Sequence, residues 1–212
     1  MIRNRRLQYL CCAAGLICIS FGVALTTKAG LGTSPISAIP YSLSLIIPGL
    51  SMGTWLILFS IALVLTEIIL LKGKMPAKNW ISQLLISFPV GWLIDAAMWL
   101  LTPFNPELYP LKILTVLLGC VVIALGAYLC VSASLLILPG DGFVQVLSQV
   151  TGKSFGGVRV VSDTTQILIA AVLCLIFLHA LVGVREGTVI AALLVGTIVK
   201  IFAKILPLTR AI

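Results

Sequence analysis

Residues 15–53 read GLICISFGVALTTKAGLGTSPISAIPYSLSLIIPGLSMG, and residues 119–157 read GCVVIALGAYLCVSASLLILPGDGFVQVLSQVTGKSFGG. Laid over each other at an offset of 104, without a gap, ten of 39 positions are identical. They are Gly15/Gly119, Ile19/Ile123, Gly22/Gly126, Leu25/Leu129, Ala29/Ala133, Leu31/Leu135, Pro35/Pro139, Leu43/Leu147, Ser44/Ser148 and Gly53/Gly157. The match divides the chain into two repeats, 1–106 and 107–212, each with three long apolar runs. An odd number of crossings per repeat forces the copies into opposite orientations. Inverted repeats are a common build for secondary transporters, whose site lies near the bilayer midplane at the repeat interface.

Composition supports a membrane setting. Sixty per cent of residues are hydrophobic and 9% are charged, against roughly 25% charged in a soluble domain. So few charges cannot coat a globule, but lipid can solvate one. Six runs approach or exceed the roughly 20 residues that cross a hydrocarbon core: 7–27, 52–72, 80–101, 111–132, 157–179 and 187–206. The first is too long for a cleaved signal, and no small-residue cleavage site follows it. Between the halves, 102–110 (TPFNPELYP) carries three prolines and interrupts any helix. The expected class is an all-α integral membrane protein of six transmembrane helices, built as two inverted three-helix repeats.

The net charge of +8 does not point to nucleic acid, because it lies in short basic flanks. With the N-terminus inside, Arg3, Arg5, Arg6, Lys72, Lys74, Lys78, Lys153, Lys204 and Arg210 fall on the inner side. Only Lys28, Lys112 and Arg185 fall outside, while Arg159 and Lys200 lie within spans. This asymmetry places both termini in the cytoplasm. The six cysteines all lie in apolar runs without metal-ligand spacing and read as small buried hydrophobes.

The segments between the first and second spans of each repeat are too apolar for simple loops and too short to cross and return as two full helices. Ser34-Pro35 is a good helix start, with Ser as cap and Pro at the first helical position; the first half-helix is expected over about 34–47. Pro139-Gly140-Asp141-Gly142 opens a second, over about 140–150. Re-entry from opposite faces is one reading, since irregular backbone at membrane depth is tolerated where it lines a cavity. Amphipathic helices lying on the two surfaces are the other. Broken segments in matching positions point to a binding site. The seven-residue spacing of Gly15, Gly22 and Ala29, repeated as Gly119, Gly126 and Ala133, suggests that spans one and four pair closely along a seam of small residues.

Charges inside a bilayer are costly and therefore functional candidates. Asp141 either caps the second half-helix or binds a cation or proton. Arg159 and Asp163 lie one turn apart and can pair along one helix face; alternatively Arg159 receives an anionic group while Asp163 tunes or replaces it. At the offset of 104 these three align with Ser37, Trp55 and Phe59, so the scaffold is symmetric while its ionisable cluster is one-sided. The first half-helix offers Thr33, Ser34, Ser37 and Tyr41 with its backbone N–H groups, neutral donors suited to a carboxylate or another anion. Asp95 reads as lining an outer vestibule, Lys200 as snorkelling to lipid phosphates, and Glu67 as interfacial, with proton coupling as the alternative. His179 is a lone histidine near the outer surface. No HExxH, GxSxG, Walker loop or metal-holding histidine pair is present, so neither an enzyme nor a cofactor or metal is expected.

Lys28-Ala29-Gly30-Leu31-Gly32-Thr33-Ser34-Pro35, with Pro40-Tyr41, resembles the first signature of the YczE/YyaS/YitT-type bacterial membrane proteins. Pro139-Gly140-Asp141-Gly142 looks like that family's proline-glycine-aspartate turn. Val158-Arg159 followed by Asp163 looks like its Arg-then-acid span, and Val182-Gly183, Gly187-Thr188 and Gly196 are similar to its last-span motif. Ile36-Ser37 departs from the proline-tryptophan-aspartate of many relatives. The resemblance implies a bacterial inner-membrane protein but no agreed substrate. Some relatives are associated with secondary-metabolite production.

The function expected from these residues is a secondary transporter or exporter of a small organic solute, anionic on one reading, bound between the two half-helix starts. Thr33, Ser34, Ser37, Tyr41, Asp141 and Arg159 are the substrate-binding candidates. Asp141 and Asp163 are the candidates for proton or ion coupling. The alternative is a non-transporting accessory protein that docks a biosynthetic or membrane complex through the basic 72–78 loop. Expected partners are the solute and the lipid bilayer, with no nucleic acid; six short spans fold as a monomer or gain core as a homodimer.

Overall fold

A computed structural model describes residues 5–206. Arg3 and Arg210, two of the expected basic anchors, lie outside them. The elements are α1 (Arg5–Lys28), α2 (Pro35–Ile46), α3 (Met52–Leu70), α4 (Ala77–Leu100), α5 (Tyr109–Ala133), α6 (Pro139–Thr151), α7 (Phe155–Leu178) and α8 (Glu186–Ile205). All but α2 and α6 are long and apolar enough to cross a membrane. Each expected span falls on one of these six helices, with its ends within three residues.

Helix starts follow local chemistry. Ser51 accepts from the Thr54 N–H at 3.1 Å and caps α3. Ser154 does the same for α7, from the Gly157 N–H at 3.4 Å. Proline opens α2, α5 and α6, where its missing N–H needs no partner. Ser34 departs from expectation. It holds the N-cap position of α2, but its hydroxyl makes no capping bond and donates to Ser37 Oγ at 2.9 Å instead. The ring of Pro35 removes one N–H from that first turn, and Ser37 N–H is already taken by the Ser34 carbonyl at 3.0 Å.

The largest helix–helix interface joins α1 to α5, along the seam of small residues. A β-carbon on Gly15 would lie 2.8 Å from the Gly126 carbonyl, and one on Gly22 would lie 2.8 Å from the Gly119 carbonyl. Early positions of α1 thus meet late positions of α5, so the two helices run antiparallel. Ala29 and Ala133, at the far ends of the seams, are fully buried. Between membrane helices lipid removes the hydrophobic drive to associate, and close van der Waals packing takes its place. Only glycine lets these backbones approach so closely.

Around this pair the helices pack in matched ways. α4 packs on α1 and α8 on α5, while α2 packs on α7 and α6 on α3. Each short helix therefore sits mainly in the other half of the chain. α5 and α8 run parallel: Gly187 packs near Val116, and the Tyr128 hydroxyl donates to the Leu206 carbonyl at the far end. Cys130 Sγ lies 3.9 Å from the Cys12 carbonyl. The beginning of α1, the end of α5 and the end of α8 consequently share one end of the bundle. The match is incomplete, because α3 and α4 pack tightly through Gly53 and Gly91, whereas α7 and α8 share no comparable interface among the described residues.

Candidate functional site

The first turn of α6 has Leu138 at its N-cap, with no side-chain cap. The Asp141 and Gly142 N–H groups both donate to the Leu138 carbonyl, at 3.0 and 2.9 Å. The Asp141 carboxylate is thereby freed from capping and turns to α7. Arg159 Nη1 donates to Asp141 Oδ1, and Arg159 Nε donates to Asp163 Oδ2 at 3.2 Å. The three charges form one chain with Arg159 in the middle and a net charge of −1 (two carboxylates, one guanidinium). Asp163 is the most enclosed, its side chain 16% exposed against 35% for Arg159 and 39% for Asp141. The cluster stands at the junction of α6 and α7, one carboxylate from α6 and the other two groups one turn apart on α7.

The first turn of α2 is arranged differently. Thr33, Ser34 and Ser37 are all buried and bonded internally. Thr27 Oγ1 donates to Thr33 Oγ1 at 2.9 Å, Thr33 N–H donates to Thr188 Oγ1 at 3.2 Å, and Ser34 bonds Ser37. Gly32, at φ +93°, makes the turn that leads into this helix, and a β-carbon there would overlap Thr188 Oγ1. In this conformation those three hydroxyls are not presented to an open cavity. Tyr41, one turn further along α2, is.

The two short helices meet at their starts. A β-carbon on Gly140 would overlap Ile36 Cδ1. Ile36 and Gly140 occupy equivalent positions at the repeat offset of 104. The first turns of α2 and α6 therefore touch, through the Ile36 side chain of one against Gly140 of the other.

A cavity of about 710 Å³ opens on the opposite end of the bundle from the α1 start. Its lining includes Thr27, Lys28, Tyr41, Met52, Asp95 and Trp99. Asp95 lines it, and it is also the clamp on the start of α3. Its carboxylate accepts from Ser51 Oγ at 2.6 Å and from the Gly53 N–H at 2.8 Å. An anion suits that end of a helix. Because Thr27 both lines the cavity and bonds Thr33, the cavity floor stands directly over the start of α2.

Three further residues were candidates from sequence. Lys200 is exposed. His179 is the exposed, left-handed C-cap of α7 and touches none of the groups above. Glu67, read from sequence by its depth along the span, has its side chain completely buried in protein, where its Oε2 accepts from Gln83 Nε2 at 2.9 Å. Gln83 in turn packs on Gly142 of α6. Sequence reasoning missed Gln83, and it met Ile36 and Thr188 only as parts of motifs. A glutamine inside an apolar run was a visible signal, but nothing in the one-dimensional pattern tied it to an acid 16 residues away.

Residues 6–204 match the model of a protein family described as "Family of unknown function (DUF6198)". The chain belongs to this family. Like the motifs, the relatives of this DUF6198 protein point to YyaS and YczE of Bacillus subtilis (strain 168). It is 28% identical over 203 residues to "Uncharacterized protein YyaS", covering 94% of each chain. It is 33% identical over 189 residues to "Uncharacterized membrane protein YczE", covering 88% of this chain and 81% of that one. No solved structure matches it. Six apolar helices of spanning length and a relative described as a membrane protein make this DUF6198 chain a multi-pass membrane protein.

Proposed function

We propose that this protein is a small secondary transporter or exporter of an organic anion across the bacterial inner membrane. Its two repeats are inverted, α2 and α6 re-enter from opposite faces, and the solute binds where their N-termini meet. The observation that carries this reading is the apposition of Ile36 and Gly140 inside the bundle. It brings two half-helix N-termini, both partially positive, to one place at the repeat interface, where transporter sites are built. The antiparallel α1–α5 pair supports inversion, because a twofold axis through that interface exchanges Gly15 with Gly119 and Gly22 with Gly126.

The conformation fits one state of an alternating-access cycle. The 710 Å³ cavity is open on the Lys28 side, while Ile36, the Asp141–Arg159–Asp163 chain and the Glu67–Gln83 pair close the path beyond. When the half-helices part, Thr33, Ser34 and Ser37 exchange their internal bonds for the solute, and Tyr41 guides it from the cavity. Arg159 uses its remaining donors on the anion, and Asp141 and Asp163 carry the coupling proton or ion. The basic flanks put both termini in the cytoplasm, so the cavity faces outward.

The test is a thermal-shift screen of purified protein against small organic anions at two pH values. A ligand selective for the native state adds about 2.7 kcal/mol of stability at a hundredfold excess over its Kd. A selective shift that disappears in Asp141→Asn identifies the solute for flux assays. Full flux and unchanged pH dependence in both Asp141→Asn and Asp163→Asn would refute the mechanism.

A further inference from the structure

Among the described residues, Glu67 is a carboxyl group with no counter-charge. It is fully buried in α3, and among the described residues it forms no ion pair. The neighbouring helices offer none. On α4, Lys78 is exposed at the helix start, and Asp95 sits at the other end of α3, bound to Ser51 and Gly53. On α6 the one charged group is Asp141, paired with Arg159. α2 has no charged residue, and its Tyr41 lines the cavity.

The hydrogen bonding of the acid and its amide partner is incomplete in a particular way. Gln83 Nε2 donates to Glu67 Oε2 at 2.9 Å. Glu67 Oε1 and Gln83 Oε1 are both buried with no partner among the described residues. Two acceptors lack a donor within a single acid–amide pair. An ionised carboxylate left this way is strongly disfavoured, because burial removes its hydration and nothing replaces it. One proton removes both defects. Placed on Glu67 Oε1, it makes that oxygen a donor, and Gln83 Oε1 is the acceptor on the same amide. Acid and amide then share two hydrogen bonds in a closed ring.

The geometry points to Glu67 and Gln83 as a buried proton-binding site that latches the first turn of α6 onto α3 and α4. The latch arises because the Gln83 amide lies against Gly142. A β-carbon on Gly142 would lie 2.6 Å from Nε2 and 2.8 Å from Oε1, so the amide and the helix start are in direct contact. Removing the proton leaves a bare carboxylate and an orphaned amide oxygen facing that turn. Only water can relieve them, and water enters when α6 moves away. Using this latch as the proton step of a transport cycle rests on the reading above; the presence of the proton does not.

Infrared difference spectroscopy of the full chain in lipid nanodiscs, titrated by pH without any solute, tests it. At about pH 7, where an exposed glutamate is ionised, the wild type shows the carbonyl band of a protonated carboxylic acid. Glu67→Gln removes that band, and Gln83→Leu shifts it by taking away the ring partner. Hydrogen exchange then reads the latch. On raising the pH, amides 140–146 of the wild type become several-fold less protected than those of Glu67→Gln at the same pH. A missing band, a band that survives Glu67→Gln, or equal exchange in the two proteins would overturn the proposal. So would a band that appears only after sodium is removed, which would give the site to the metal ion. If Glu67→Gln fails to fold, the Gln83→Leu shift still decides. Failure of the transport reading shows separately, as no solute flux with the band intact.

Discussion

At the level of single residues, Arg159 holds two carboxylates apart and together at once. Its planar guanidinium donates in two directions, to Asp141 through Nη1 and to Asp163 through Nε, which a lysine ammonium cannot reproduce with the same reach and angles. Removing the arginine leaves two carboxylates facing one another, whereas removing one carboxylate leaves an intact pair. Arg159→Ala is therefore expected to lower stability by about 2–4 kcal/mol, and Asp141→Asn by about 1 kcal/mol, because the Asp141 end is more than a third exposed. Arg159→Lys falls between them. Chemical denaturation in detergent checks the order, and an Asp141→Asn loss equal to that of Arg159→Ala would contradict the central role of the arginine. Asp163 shows how burial and sequence combine. The i,i+4 spacing to Arg159 was plain in the chain, and the enclosure that singles it out from Asp141 was not.

At the level of elements, glycine placement decides which helices touch. The α1–α5 seam tolerates no side chain: Gly22→Val is expected to cost about 1–3 kcal/mol by overpacking, with its β-carbon forced against the Gly119 carbonyl. Gly196 has nothing within 4 Å of a β-carbon, so Gly196→Ala is neutral or stabilising by up to about 1 kcal/mol. Unfolding of the two variants side by side separates packing from helix propensity. Asp95 belongs to the same scale, since it ties α4 to the start of α3 through Ser51 and Gly53. Asp95→Asn keeps an acceptor but loses the charge at the helix end, and is expected to cost about 1 kcal/mol. Hydrogen exchange should then localise the loosening to residues 51–56.

At the level of the whole molecule, the transport reading proposed above makes access one-sided. Ser44→Cys and Ser51→Cys line the open cavity and should react quickly with a membrane-impermeant maleimide added on that face, in a background with the native cysteines replaced. Ser37→Cys, fully buried, should resist the reagent from both faces until a solute or pH change parts the half-helices. Equal labelling of Ser37→Cys and Ser44→Cys would show that the closure at Ile36 and Gly140 is not a barrier. On the same reading, the uneven packing of the halves gives this motion a direction. α3 and α4 are held together by Gly53, Gly91 and Asp95, while α7 and α8 have no such clasp among the described residues, so on that reading the second half is the part that shifts.

Helix positions were legible in the chain because span length, apolarity and proline placement are local properties with direct physical consequences. So was the α1–α5 pairing, since a seam of glycines has no purpose unless a second backbone lies on it. The pairing of Arg159 with Asp163 follows from helix geometry alone. Its extension to Asp141 needed α6 and α7 set at a particular angle, and the internal bonding of Thr33, Ser34 and Ser37 needed Thr27 and Thr188 brought in from other helices. Glu67 marks the boundary most sharply. From its position near the end of a span it reads as interfacial, because depth along one helix is all a sequence supplies. Only the packing of α4 and α6 against α3 excludes water from it and leaves Gln83 as its hydrogen-bond partner, since burial depends on what neighbouring helices cover.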